Sequence, residues 1–149
     1  MEENLKREFR QVLAFNQNNR DFMARNSVLN LYEYLTNQGF SPMKKMSIIE
    51  AFVYYPLFLD GPINEKELHF IKVALNDTKV TIEVANIIAK QHLNMKETLF
   101  EVMKKLNPIL IYDVLCLVFI GLISDNNDDM NDIESKFFDE LFLVALDAI

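Results

Sequence analysis

The sequence predicts an all-α fold: a compact single-domain bundle of seven or eight helices, with a helix–acidic turn–helix unit used twice as a pseudo-twofold repeat. Three observations predict it. The run from Ile109 to Ile123, ILIYDVLCLVFIGLI, is apolar on every side, with Asp113 its one charge and Gly121 its one residue without a side chain. Such a helix belongs in a core or a membrane; this one falls short of the roughly 20 residues a span needs and runs straight into the acidic segment SDNNDDMNDIE. No segment alternates at period two, and three glycines and four prolines are too few for a turn-rich sheet protein. Helix start and stop signals recur at short intervals throughout.

Taken in order, Glu3 to Phe15 reads as a first helix, with Leu5, Phe9, Val12 and Leu13 on one face. Asn16 to Asn19 reads as a polar break. A second helix follows with the stripe Val28, Leu31, Tyr32 and Leu35, and ends at Gly39. Ser41 then caps a third helix that opens on Pro42, where the missing N–H costs nothing, and reaches about Leu59. Its stripe is Met46, Ile49, Val53 and Leu57, and Pro56 should bend or shorten its last turn. Asp60-Gly61-Pro62 is a turn signal. Asn64 and Glu67 form a capping box ahead of a helix to about Leu75. The next helix runs from Thr81 to about Leu93 with Val84, Ile87 and Ile88 as its stripe. Asn94 to Glu97 repeats the cap pattern before a short helix that ends near Leu106. Asn107 caps the apolar helix, and a last helix covers about Asp132 to Asp147.

Charge narrows the function classes. Residues 113–149 hold nine acids and one base, Lys136, a balance of −8, whereas the rest of the chain carries +1 of the net −7. Nucleic acid is a poor partner for such a chain, because affinity for it rests on neutralising phosphates with Lys and Arg. A cation or a basic protein surface fits better. The N-terminus contains no apolar signal-peptide core and no segment reads as transmembrane, so a cytoplasmic location is expected. The single cysteine, Cys116, permits no internal disulfide and reads as a small buried hydrophobe.

The two turn regions resemble each other. LFLDGPINEKELHFI and LISDNNDDMNDIESKFF align Asp60 with Asp125, Ile63 with Met130, Asn64 with Asn131, Glu67 with Glu134 and Phe70 with Phe137, with two extra residues in the second copy. At these residues the chain resembles the TerB-like family, named for tellurite resistance. Its signature is an apolar helix running into Asp-Gly, an aliphatic residue two places on, and Glu at Asp plus seven. Asp60, Gly61, Ile63 and Glu67 match that spacing, whereas Asn126 replaces the Gly in the second copy. Leu59 and Ser124 stand where the family usually has alanine. The resemblance covers roughly residues 42–147 and leaves the first 40 residues, with their N-terminal helices, unaccounted for.

The resemblance implies a compact helical domain that binds a divalent cation through clustered acids, inside stress-response or membrane-associated assemblies with a protein partner and without established catalysis; calcium, magnesium and zinc are the candidate ions. Carried over position by position, the ligands would be Asp60, Glu67, Asp125 and Glu134. Glu50 and Asp113, each on the helix leading into its turn, could complete the cluster. Asp125, Asn127 and Asp129 also have the alternate spacing that opens a calcium loop, but Met130 and Lys136 occupy the positions where an EF-hand needs Gly and Glu. The plainer reading is that Asn64/Glu67 and Asn131/Glu134 only cap helices and the aspartates are solvated turn residues.

His69 and His92 lack the Glu three residues before them that a di-iron bundle requires, and one cysteine excludes a thiolate zinc site. Glu65 and His69 read as a helix-surface pair. An enzyme would need a pocket joining Asp113 or Glu50 to a histidine. Two functions of different class remain: a cation-binding domain, and a helical interaction module whose acidic C-terminal third docks a basic partner.

Overall fold

The structure, a computed structural model, describes residues 7, 11, 16–124 and 130–148. Among them the chain is all-helical, with α1 (Gln17–Asn37), α2 (Pro42–Leu57), α3 (Glu65–Leu75), α4 (Ile82–Gln91), α5 (Lys96–Lys105), α6 (Pro108–Leu122) and α7 (Asp132–Ala148). The helix expected over Glu3–Phe15 lies outside the described residues apart from Arg7 and Gln11, both helical and exposed.

The apolar helix α6 is the centre, packed against α1, α2 and α7. Val114, Leu117, Val118 and Leu122, from the middle and end of the apolar run, are all buried, as is Cys116. Gly121 earns its place by close approach: a Cβ there would stand 3.0 Å from Cε2 of Phe70 on α3. Only the first turns of α6 reach solvent, through Ile109 and Tyr112. No helix among the described residues is long and apolar enough to cross a membrane.

Most helix ends follow local chemistry. Ser41, Asn64, Thr81 and Asn107 each accept a backbone N–H at an N-terminus. Asn76 ends α3 in the left-handed conformation, which asparagine tolerates well. Pro56 sits one residue before the end of α2.

Four expectations need correction. Asn16 is no break; its side chain accepts the N–H of Asn19 and caps α1 directly. Tyr32 and Met46 leave their stripes for the surface, while Lys45 turns inward instead. The Lys45 Nζ donates to Thr36 Oγ1 at 3.0 Å and to the Tyr32 hydroxyl at 3.3 Å, which pins α2 to α1. Asn94 caps nothing: Met95 holds the N-cap position of α5 without a side-chain bond, because methionine has no side-chain oxygen to accept the free N–H groups of the first turn. Finally, α4 is rotated away from its expected stripe, burying Ala85 and Ala89 and leaving Val84 and Ile87 exposed, with Ile88 half-buried. Asn86 sets that rotation, since its Oδ1 accepts the Ile63 N–H and its Nδ2 donates to Ile82 O and Ile63 O.

Candidate functional site

The first acidic turn is built by short-range chemistry. Helix α2 runs out after Pro56, and Gly61 adopts φ +131°, a conformation other residues avoid. Ile63 is buried and held by Asn86 from α4. Asn64 and Glu67 then close a reciprocal box: the Glu67 N–H donates to Asn64 Oδ1 and the Asn64 N–H to Glu67 Oε1, each at 3.0 Å. The second turn has the same box. The Glu134 N–H donates to Asn131 Oδ1 at 2.9 Å, and the Asn131 N–H to Glu134 Oε1 at 3.0 Å.

Both glutamates are buried, Glu67 to 1% and Glu134 to 0% exposure, which is far deeper than a surface helix cap needs. The aligned Phe70 and Phe137 are buried as well. Each box spends one carboxylate oxygen on a backbone N–H, so both glutamates shape their turns.

The turns are joined directly. The Asn131 Nδ2 donates to Asp60 Oδ2 at 2.6 Å, across 71 positions of sequence. Asp60 is exposed and stands where the two helix–turn–helix segments meet. Asp125 and Asp129 lie outside the described residues. The sequence presents Asn131 as a cap of α7 and a neutral oxygen donor of its turn; the link to Asp60 carries no local signal.

The two acids added by position stand elsewhere. Glu50 is separated from the end of α2 at Leu57 by about 10 Å of helix at 1.5 Å per residue. Its Oε2 lies 3.2 Å from His92 Nε2, and the Tyr54 ring stacks with the His92 ring at 6.5 Å between centroids. Burial first, then the Glu50 and Asp77 charges, push the Tyr54 phenol up to about 12. Asp113 lies in the second turn of α6, at the end away from the acidic turn, where its Oδ2 accepts a hydrogen bond from Asn30 Nδ2 at 3.0 Å. Among the described residues, no three of His, Cys, Asp and Glu cluster closely enough to hold a metal.

Two cavities flank the core. One of about 520 Å³ between α1, α3 and α6 is lined by Arg20, Lys66 and His69 over Phe70 and Ile120. His69 pairs with Asp21 Oδ2 at 3.1 Å rather than with Glu65. The other, of about 360 Å³, is lined by Asn30, Asn107 and Asp113. Glu50 is joined to a histidine, but the described lining of neither cavity includes that pair.

No protein-family model matches this chain, and no curated protein or solved structure matches it either. The likeness to the TerB-like family rests on the residues themselves.

Proposed function

We propose that the protein is a non-enzymatic, TerB-like helical domain that binds one divalent cation where its two acidic turns meet, as a component of a stress-response type assembly. The observation that carries this reading is the 2.6 Å bond from Asn131 to Asp60, because it seats the start of the second helix after its acidic turn directly on the carboxylate of the first turn. Hard cations such as calcium and magnesium take carboxylate and carbonyl oxygens, and acids crowded at one place gain most from a bound dication. In this reading Asp60, Asp125 and Asp129 supply the oxygens. Glu67 and Glu134 hold the turns in shape, and Glu50 and Asp113 stand apart with other partners.

The matched boxes support a pseudo-twofold relation between the halves: Asn64 with Asn131, Glu67 with Glu134, Phe70 with Phe137, the last four buried or half-buried. The test is calorimetric titration of the full chain with calcium, magnesium, zinc and manganese. Saturable heat at one cation per chain, weakened by Asp60→Asn, is expected.

Absence of heat at millimolar cation would overturn the cation reading. It would leave the second one, a docking face for a basic partner. One observation favours that alternative: Asp132, Asp139 and Asp147 line an exposed face of α7.

A further inference from the structure

Helix α4 carries its bulky apolar side chains on the solvent side. Val84 is 44% exposed, Ile87 58% and Leu93, just past the helix, 50%, while Ala85 and Ala89 hold the buried side. At 100° per residue, Ile87 sits at the middle of the outward face, opposite the two alanines. Glu83 and Lys90 flank Ile87 on one edge of that face; Val84 and Gln91 flank it on the other. Both charged residues are exposed, and neither forms an ion pair among the described residues. Two helical turns, about 10 Å, separate Glu83 from Lys90, too far for a bond within one helix.

We propose that this face is an isologous interface with a second copy of the chain, two α4 helices packing antiparallel with Ile87 at the twofold axis. The charge pattern selects that occupant. A twofold axis lying in the interface reverses direction along the helix but keeps each residue on its own edge. Glu83 of one copy therefore meets Lys90 of the partner subunit, and the reverse pair forms at the other end. The edge opposite matches Val84 with Gln91, and Ile87 meets its own copy at the centre. One acid and one base per face leave it neutral within a chain of net charge −7, which suits self-association rather than a basic or an anionic surface. The inference is independent of the cation site, which lies at the α2–α3 and α6–α7 turns.

The test is sedimentation equilibrium of the full chain from micromolar to millimolar concentration, with each variant checked for an unchanged helical spectrum. Wild type should dimerise reversibly. Ile87→Asp, at a position already exposed in the monomer, should abolish the dimer without unfolding the chain. Glu83→Lys and Lys90→Glu each turn two attractive contacts into two repulsive ones and should weaken the dimer about tenfold or more at low salt. The double variant restores opposite charges across the axis and should recover wild-type association, and a mixture of the two single variants should form the heterodimer. A wild-type chain that stays monomeric throughout overturns the proposal. So does a dimer indifferent to Ile87→Asp, or single reversals that the double exchange fails to rescue.

Discussion

Asn131→Asp isolates the contact between the two turns. In wild type the Asn131 Oδ1 caps α7 and the Nδ2 binds Asp60 at 2.6 Å. Aspartate caps as well as asparagine, so the first role survives. The second is inverted, because a carboxylate now faces the Asp60 carboxylate. Two unit charges about 4 Å apart repel by about 1 kcal/mol in bulk water and about 4 kcal/mol at the effective dielectric near a protein surface. Since Asp60 is exposed, the lower part of that range applies, and a loss of about 1–2 kcal/mol is expected at low ionic strength. For a chain of this size that is a fall of about 2–8 °C in Tm. Thermal denaturation followed by circular dichroism reads it. Salt should shrink the loss, Asp60→Asn in the same chain should cancel it, and a divalent cation should reverse it by using the extra carboxylate as a ligand. A variant as stable as wild type at low salt, or a loss that Asp60→Asn leaves in place, would show that the two turns do not touch in solution.

Three further predictions follow from other parts of the molecule. Leu117→Ala, at a fully buried position of α6, should cost about 2–5 kcal/mol in chemical denaturation, and a change without measurable cost would mean that this helix is not the core. The folded chain keeps the Tyr54 proton up to about 12, whereas the unfolded chain loses it near the ordinary value of 10.0. Stability from this group is therefore complete below the ordinary value and falls by about 1.4 kcal/mol per pH unit between the two. Tyr54→Phe should flatten that alkaline limb in denaturation curves, and an unchanged limb would assign it to another phenol. Asp125→Asn combined with Asp129→Asn should lower cation affinity in calorimetry more than Asp60→Asn does, because the second turn holds five acids between Asp125 and Glu134 against three between Asp60 and Glu67. Equal losses would make the first turn a full partner.

What was legible in the sequence was local. The caps at Ser41, Asn64 and Asn107 are each decided within three residues, and α6 has so little polar surface that only a central position suits it. The rotation of α4 was not legible, because its valine and isoleucines outweigh its alanines in any apolar pattern. Its orientation is fixed by Asn86, bonded 23 positions away to Ile63, and His92, paired 42 positions away with Glu50. At the candidate site the two Asn–Glu boxes were readable from spacing alone, but their burial and the Asp60–Asn131 link depend on how the halves meet. The same limit applied to Glu50 and Asp113, where proximity along a helix suggested a cluster and the packing gave each a different partner.

The central claim, one cation held between two turns, is tested most directly by adding substoichiometric manganese to the isotopically labelled chain. Paramagnetic broadening of backbone amides then reports which residues the ion visits. The account predicts that the Gly61 and Asn131 signals fade together at the same manganese concentration, that added magnesium restores both, and that signals around Asp113 persist. Broadening confined to one turn, or spread evenly over the acidic surface of α7, would contradict it.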